Sequence, residues 1–287
     1  MSMTLHFLNV GNGDCTIIQL PDGKLMMVDI CNGNDSNPQK TNPILYLQNL
    51  GYPAGSRILR YVQTHPDMDH MDGLAALFDL YEVTNFWDTE NRKPRPDFSL
   101  PYSKGKSEDW DAYQKLRSNA LYFYRDLSPI TSKGGHPYPY ELYVFHPTKQ
   151  AVQEANRTQE WNNLSYVLLL KEGNFKALIA GDIDDGVWEE LYEWASENFK
   201  VRQLVSKITV FKVSHHGRRS GYCGADWLNL TQPQEIVISK GSVPGEQSAY
   251  GNYYTKVGSE RLWLTSQGDV VCHYYSNTDK YSIGYQK

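Results

Sequence analysis

The chain has 287 residues and a formal net charge of −5 at neutral pH, with 40% hydrophobic and 21% charged residues. These values are typical of a globular protein, and they exclude a disordered chain and a uniformly basic nucleic-acid-binding surface, although not a local basic patch. The 21 tyrosines and 7 tryptophans predict extensive aromatic contact surfaces.

Cysteine use and hydropathy indicate the compartment. The four cysteines are scattered without a Cys-x-x-Cys pair, which argues against a disulfide scaffold and against a thiolate zinc site. The N-terminal sequence lacks the basic and apolar regions of a signal peptide, and no apolar run reaches the ~18 residues of a membrane span. We therefore expect a cytoplasmic protein that does not contact a membrane.

The first elements in chain order are predicted strands. Residues 5–20 read as two strands separated by a turn at Gly-Asn-Gly-Asp, residues 11–14, and residues 24–30 read as a third strand. Asp29 near the end of that strand either orients a catalytic loop or caps a turn. A short helix is expected at 42–50.

A dense group of ligand-type side chains follows the apolar strand predicted at 58–62. Residues 64–73 read THPDMDHMDG, so two histidines and three carboxylates fall within eight positions. In an extended backbone His65, Asp67 and Asp69 share one side, and a turn would bring His70 to the same place. Crowded carboxylates repel one another unless a cation lies between them. Imidazole and carboxylate suit Zn, Mn or Fe, so the stretch favours a metal site over a solvated acidic turn.

Residues 86–146 differ from their surroundings. They contain Arg92, Lys93 and Arg95, several prolines, many aromatic residues and a predicted helix at 108–124. We interpret them as an insertion that overhangs a site or, alternatively, as an ordinary packed helical excursion. The cations interleaved with aromatic residues would suit a single-stranded or nucleotide substrate.

Two later predicted strands also end in ligand-type residues. The strand at 176–180 leads into Gly181-Asp182, and the strand at 208–213 leads into His215-His216. A helix at 187–199 lies between them, and further strands are expected at 142–145, 165–170, 236–239, 261–265 and 270–275. Either feature alone is weak, because Gly-Asp turns are common and paired histidines often lie on surfaces. Together with residues 65–70 they supply the groups for two divalent ions, with Asp182 as the bridge.

In this order the motifs resemble the metallo-β-lactamase superfamily, and more narrowly the hydrolase domain of ComEC-type DNA-uptake proteins and their soluble relatives. Asn-Val-Gly-Asn-Gly-Asp at 9–14, Val-Asp at 28–29, Asn-Leu-Ser at 163–165, Ser-Lys-Gly at 239–241 and Thr-Ser-Gln-Gly at 265–268 support the resemblance. It implies an α/β fold, an αββα sandwich of two mixed sheets flanked by helices. It also implies a single domain over 1–287 that carries the insertion at about 86–146.

The resemblance implies two divalent metal ions, Zn or Mn. Asp69 and His70 would bind one ion with His215, for which His216 is the alternative, and His65 and Asp67 would bind the other, with Asp182 bridging. The sequence also departs from the superfamily. Aspartate stands at 67, where most members have histidine, and no histidine lies between His146 and His215. Asn163 stands near the missing position, and this harder ligand set favours Mn²⁺ over Zn²⁺.

The predicted function is a metal-dependent hydrolase, most simply a phosphodiesterase or nuclease that uses a metal-bound hydroxide at a dinuclear site. Asp69 and Asp182 are the predicted catalytic residues. A phosphodiester substrate, either a nucleic acid or a nucleotide, would contact Arg218 and Arg219, together with Asn163 and Lys240. Arg218 and Arg219 would hold its phosphate, unless they are only solvated surface charges. The alternatives are a lactone, thioester or amide hydrolase at the same metals, and a binding or regulatory module with weakened catalysis.

Overall fold

The computed structural model describes residues 2–32, 39–133, 136–240 and 245–286, and its strands form two large sheets that face each other and one small sheet of two strands. In chain order the strands are β1 (Ser2–Phe7), β2 (Thr16–Gln19), β3 (Leu25–Val28), β4 (Ile30–Cys31), β5 (Arg57–Val62), β6 (Met71–Asp72), β7 (Glu82–Val83), β8 (Phe86–Trp87), β9 (Ile130–Lys133), β10 (His136–His146), β11 (Val167–Glu172), β12 (Phe175–Ala180), β13 (Val210–Lys212), β14 (Glu235–Ile238), β15 (Leu262–Leu264), β16 (Asp269–Tyr275) and β17 (Lys280–Gln286). The helices are α1 (Pro43–Asn49), α2 (Leu74–Leu80), α3 (Ser107–Arg117), α4 (Lys149–Thr158), α5 (Asp185–Glu197), α6 (Phe199–Val205), α7 (Gly224–Thr231) and α8 (Tyr250–Val257).

Both large sheets are mixed. The first has the order β17-β16-β1-β2-β3-β5-β7, with β8 also beside β5, and the second has the order β15-β14-β13-β12-β11-β10-β9. Strands β3, β5, β7 and β8 run parallel, as do β12, β13, β14 and β15, whereas the remaining neighbours in both sheets are antiparallel. The predicted hairpin at 5–20 is confirmed, since β1 and β2 are antiparallel neighbours.

Side-chain alternation along the strands assigns each face of a sheet to a different core layer. In β12, Ala177 and Ile179 point between the two sheets, whereas Leu178 and Ala180 point toward the outer helices. Helices α5, α6 and α7 cover the outer face of the second sheet, and α1, α2 and α3 cover that of the first. The predicted αββα sandwich is therefore confirmed. None of the described helices has the length and hydrophobicity needed to cross a membrane.

Two predicted helices have different bounds in the structure. The helix expected at 108–124 ends at Arg117 because the chain turns back at once, and the Leu121 amide donates to the Phe86 carbonyl at 2.8 Å. The helix expected at 187–199 ends at Glu197, because the Asn198 side chain accepts from the amides of residues 200 and 201 and so starts α6.

The insertion contributes to a helical layer and to a sheet of the sandwich. Trp110 and Tyr113 of α3 are buried in the helical layer of the first sheet, and β10 is an interior strand of the second. Residues 88–106 are mostly coil and lie beside the site described next. The single-domain extent of 1–287 stays a prediction.

Candidate metal centre

The ends of parallel strands bring the predicted ligands to one edge of the sandwich. The chain leaves β5 through Thr64 and His65 and enters a short 3₁₀ helix at Met68–His70, whereas β12 ends directly before Gly181-Asp182. After β13, a second 3₁₀ turn at His215–Gly217 presents the histidine pair. Since parallel strands end at the same edge of a sheet, residues far apart in sequence become neighbours here.

Three histidines and two aspartates form the centre of this site, and we call these five residues the ligand cluster: His65, Asp69, His70, Asp182 and His216. One oxygen of Asp182 lies 3.1 Å from Nε2 of His216 and 3.3 Å from Nε2 of His70. Asp69 Oδ2 lies 3.5 Å from the same His216 nitrogen. His65, His70 and Asp182 offer ligand atoms within 4.8 Å of one another, and so do Asp69, His70 and His216. These two overlapping groups share His70 and have the size of two adjacent cation positions.

The buried atoms of the ligand cluster lack well-formed hydrogen bonds to the described residues. Within those residues, Nε2 of His65, His70 and His216 and one carboxylate oxygen of Asp182 are inaccessible to water and make no hydrogen bond of normal geometry. Buried polar atoms are nearly always hydrogen-bonded, so several orphaned atoms facing one point need an explanation. A divalent cation bound by imidazole and carboxylate groups satisfies all of them, and the residues present therefore fit the metal that the sequence predicted.

The charges of the cluster lead to the same conclusion. Burial alone would lower the pKa of His216, but the carboxylates of Asp182 and Asp69 outweigh burial and raise it to about 10. The pKa of His70 is raised for the same reason, against burial, by Asp182 and Asp29. Burial would raise the pKa of Asp182, yet His216 and His70 hold it well below its usual range. Protons therefore balance the carboxylates, and a bound cation would displace them.

Asp29 orients His70 directly and His65 through Thr64. Its backbone has a φ of +57°, and its carboxylate accepts from His70 Nδ1 at 2.7 Å, the Thr64 amide at 2.7 Å and the Thr64 hydroxyl at 2.6 Å. Since the Thr64 hydroxyl donates to Asp29, it accepts from His65 Nδ1, 3.0 Å away. With an ion bound, the imidazoles of His70 and His65 would therefore turn an unprotonated Nε2 toward it, in the usual arrangement of a metal-binding histidine. Of its two predicted roles, Asp29 takes the orienting one.

Asp14 is a site residue that sequence reasoning missed as a candidate ligand or support. Its carboxylate is buried, pairs with the Lys212 ammonium, and lies 3.7 Å from Nδ1 of His216. Lys212 also donates to the Ala180 carbonyl at 2.8 Å, which ties β12 and β13 to the first hairpin. Asp14 belongs to the Asn-Val-Gly-Asn-Gly-Asp motif, so a signal was present, but an isolated turn aspartate is most simply read as a cap.

Two glycines allow this close approach of backbones. A side chain on Gly13 would have its Cβ 2.4 Å from the Asp69 carbonyl oxygen, and the φ of Gly13 is +149°. A Cβ on Gly181 would lie 2.8 Å from side-chain atoms of Ser165 and Thr64. Glycine is therefore required directly before Asp14 and Asp182, and a larger residue would push these carboxylates out of place.

The structure separates the two adjacent histidines. Both have positive φ, and this turn points His216 into the ligand cluster. The ring of His215 instead lies 3.4 Å from Asp184 and 3.1 Å from the Ser220 hydroxyl. The geometry thus favours His216, the alternative ligand, over His215. Among the described residues His146 belongs to none of the closely spaced ligand groups either; it is buried, and its Nδ1 donates to the Ser165 carbonyl at 2.9 Å.

Asp67 stands at the margin of the ligand cluster. One of its oxygens lies 4.0 Å from Nε2 of His65, and the other accepts from the Lys93 ammonium. Asp67 is absent from the groups of closely spaced ligand atoms found among the described residues. The structure therefore places it beside the predicted second ion position but already paired with a cation of the insertion.

A large cleft opens beside the ligand cluster. Its volume is about 990 Å³, and Asp67 and Asp69 lie in its wall. We call it the basic cleft because five cationic side chains line it: Lys40, Lys93, Arg95, Lys104 and Lys106. Lys93 pairs with Asp67, Lys106 pairs with Asp72 at 2.9 Å, and Arg95 pairs with the exposed Asp111. Within the part of the chain that the structure describes, Lys40 and Lys104 form no ion pair.

The predicted substrate-binding residues lie elsewhere. Arg219 is exposed and Arg218 half-buried, and neither lines the basic cleft. Asn163 accepts from the Asp184 amide at 3.0 Å, so it supports the turn after Asp182. Lys240 lines a smaller neighbouring pocket of about 510 Å³, which it shares with Lys40. Of the substrate contacts predicted from the insertion, Lys93 and Arg95 line the basic cleft and Arg92 does not.

Solved structures share this fold. Igni18, a novel metallo hydrolase from the hyperthermophilic archaeon Ignicoccus hospitalis, is 12% identical, with coverage of 99% of this chain and 100% of that one and a TM-score of 0.51. CmlA, a diiron β-hydroxylase from Streptomyces venezuelae, is 12% identical with a TM-score of 0.52, and the match covers 91% of this chain but only 52% of CmlA. This chain thus spans about half the length of CmlA. No protein-family model and no curated protein matches the sequence.

At these identities the similarity concerns the fold. The chain has the metallo-β-lactamase fold, in agreement with the sequence resemblance, and it shares this architecture with Igni18 and CmlA. The narrower resemblance to ComEC-type domains stays a prediction. So do the roles of the individual site residues, for which the geometry above supplies the basis.

Proposed function

We propose that this protein is a metal-dependent hydrolase of phosphodiesters, acting as a nuclease or a nucleotide phosphodiesterase. The observation that carries the proposal is the junction of the ligand cluster with the basic cleft. Asp69 belongs to both, because it lies 3.5 Å from His216 and also lines the cleft wall. A phosphate held by the cleft cations would therefore lie next to the ligand cluster.

Five residues would hold the cations: His65, Asp69, His70, Asp182 and His216. A divalent ion at such a site supplies Lewis acidity and lowers the pKa of a bound water. Asp182 is central to both ion positions, since one oxygen lies within 3.3 Å of both His70 and His216. The similarity in fold to a metallo hydrolase supports this assignment, and the two overlapping ligand groups support more than one ion.

Asp69 has the position required to orient an attacking water. Its side chain is 41% exposed, unlike the buried histidines around it, so water and substrate can reach its carboxylate. An ionised carboxylate there would accept a hydrogen bond from the attacking water and orient that water toward phosphorus.

Lys40 and Lys104 are the best candidates for holding the phosphate. The other three cations of the basic cleft already have carboxylate partners, whereas these two have none among the described residues. Tyr102, which is 63% exposed, and Trp161 also line the cleft. Aromatic faces beside unpaired cations suit nucleotide bases and a phosphate backbone, so this lining favours a nucleotide or single-stranded substrate over a lactone, thioester or amide.

A substrate panel tests the proposal. The purified protein would be assayed with Mn²⁺ and with Zn²⁺ on an aryl phosphodiester, single- and double-stranded DNA, cyclic nucleotides and a lactone. We expect hydrolysis of phosphodiesters with either ion, because a set of three imidazoles and two carboxylates suits both Mn²⁺ and Zn²⁺. Hydrolysis of the lactone alone would contradict this proposal and indicate a hydrolase of small molecules. Bound metal without activity on any substrate would indicate a binding or regulatory module.

A further inference from the structure

A lysine of the insertion contacts a residue of the candidate metal centre. The Lys93 ammonium donates to Oδ1 of Asp67, and the two side chains are only 18% and 33% exposed. Lys93 lies in the coil between β8 and α3, whereas Asp67 follows β5. The contact therefore joins the insertion to the loop that carries His65, Asp69 and His70.

Buried hydrogen bonds fix the backbone around Lys93. Its amide donates to the side chain of Asn91 at 3.2 Å, and the buried Asn91 donates to the Tyr113 hydroxyl at 2.7 Å. Tyr113 in turn donates to the fully buried Asp88 at 2.9 Å, which also accepts from Arg117. Pro94 follows directly and restricts the backbone further. The backbone of Lys93 is thus held in place, which keeps its ammonium within reach of Asp67.

The two oxygens of Asp67 face different neighbours. Oδ1 accepts from Lys93, while Oδ2 lies 4.0 Å from the unpartnered Nε2 of His65. That pair, His65 with Asp67, is where the sequence predicts a second divalent ion. An ammonium on one oxygen and a divalent ion on the other would be two like charges a few ångströms apart, and like charges this close repel strongly where water is scarce.

We propose that Lys93 takes the place of a cation beside Asp67. The centre then holds one divalent ion tightly, through Asp69, His70 and His216, and admits a second ion next to His65 and Asp182 only when Lys93 leaves Asp67. The insertion thereby sets the number of ions bound. This inference rests on the metal site of the proposed function and adds to it the control of ion occupancy.

The number of Mn²⁺ ions bound per chain tests this control of ion occupancy directly, without an activity assay. Wild type, Lys93→Gln and Lys104→Gln would be titrated with Mn²⁺ by equilibrium dialysis, with free Mn²⁺ read by its paramagnetic resonance signal. We expect wild type to bind one ion tightly and a second at least tenfold more weakly. In the Lys93→Gln protein the second dissociation constant should fall at least tenfold. Lys104→Gln removes the same charge from the same cleft without touching Asp67, so its second constant should stay within about twofold of wild type.

Two results overturn the inference while leaving the metal site intact. One is equal and tight binding of two ions by wild type, and the other is an unchanged second constant in the Lys93→Gln protein. The Asp67→Asn variant provides an independent check, should Lys93→Gln fold poorly by circular dichroism. Because Asp67 is engaged by Lys93, the tight constant should change less than threefold, and a larger loss contradicts the inference. A wild type that binds no Mn²⁺ overturns both the inference and the proposed function.

Discussion

The ligand cluster and the basic cleft meet at Asp69 but are built in different ways. Apart from Asp69 the cluster is buried, and its residues follow strand ends of both sheets, where backing groups such as Asp29 fix their orientation. The cleft is open to solvent, and most of its cations come from the coil of the insertion. The sandwich fold thus fixes the ligand cluster, whereas the basic cleft depends on the insertion.

This difference implies separate roles: the ligand cluster would bind metal and support hydrolysis, and the basic cleft would bind the substrate. A buried group of orphaned nitrogens and oxygens has one evident use, the binding of a cation, and a change there leaves uncompensated charge. An exposed group of lysines attracts anions in general, and a change there alters affinity by a limited factor. We therefore expect substitutions in the cluster to remove metal and activity together, and substitutions in the cleft to act on substrate binding.

The largest effect is expected for Asp182→Ala. Asp182 lies within 3.3 Å of both His70 and His216, so its loss removes the shared carboxylate of both ion positions. We expect loss of at least one bound ion per chain, measured by atomic emission, and loss of phosphodiester hydrolysis. Circular dichroism should show a folded protein. Wild-type turnover with unchanged metal content would contradict the assignment of Asp182 to the metal centre. It would also contradict the expectation that only the ligand cluster controls metal binding.

The next effect is expected for Asp29→Asn, which keeps the shape of the side chain but removes its charge. Because Asp29 accepts from Nδ1 of His70 at 2.7 Å, the substitution disturbs the tautomer that presents Nε2 to the ion. Supporting groups of this kind contribute about 10- to 100-fold in metal affinity, and we expect a loss in that range by Mn²⁺ titration. Asp269→Asn is the matched control. Asp269 accepts from the Asn9 amide and the Thr41 hydroxyl, away from the ion positions. Equal losses in the two variants would reduce Asp29 to a structural role.

A smaller effect, confined to substrate, is expected for the double substitution Lys40→Gln and Lys104→Gln. A charge-assisted contact with phosphate contributes about 1.5–3 kcal/mol, and each ~1.4 kcal/mol is a factor of ten. We therefore expect kcat/KM to fall at least tenfold, mainly through KM, with a weaker dependence on salt and an unchanged metal content. Loss of metal in this variant would mean that the two regions are not separable.

The smallest effect is expected for Arg219→Gln. Its side chain is exposed and does not line the basic cleft, although the sequence predicts it as a phosphate ligand. Steady-state kinetics should therefore change less than twofold, which makes this variant a reference for the loss of one cation outside the cleft. A tenfold rise in KM would show that the substrate extends beyond the cleft to the loop after the histidine pair.

Part of the fold could be predicted because many of the strands carry a local signal of their own, whereas β7, β8, β9 and β17 were not predicted. Alternation and turn residues predicted β1 and β2, and the Asn-Pro pair at 42–43 marks the start of α1, where Asn42 caps the helix. His65, His70 and Asp182 could be named as candidate ligands because they follow apolar runs, and strand ends gather at one edge of a sheet. Sequence patterns of this kind show where a residue lies along a strand, and a place at the strand end is what brings these residues to the site.

The remainder depends on directions and distances that the sequence does not encode locally. His215 and His216 are adjacent, and only the backbone turn decides which ring enters the ligand cluster. Asp14 was missed because its partner Lys212 lies 198 residues away. Lys40 and Lys104 were missed because isolated lysines in coil carry no periodic pattern, and they become notable only once the cleft brings them together.

Removal and restoration of the metal tests the central claim most directly. The protein would be stripped with a chelator, reconstituted with Mn²⁺, and assayed on an aryl phosphodiester alongside Asp182→Ala. We predict no hydrolysis by the apo-protein, activity that rises with bound Mn²⁺, and no recovery in the Asp182→Ala protein. Full phosphodiester hydrolysis by the apo-protein, or equal recovery in the variant, would contradict the assignment of these residues to a catalytic metal centre.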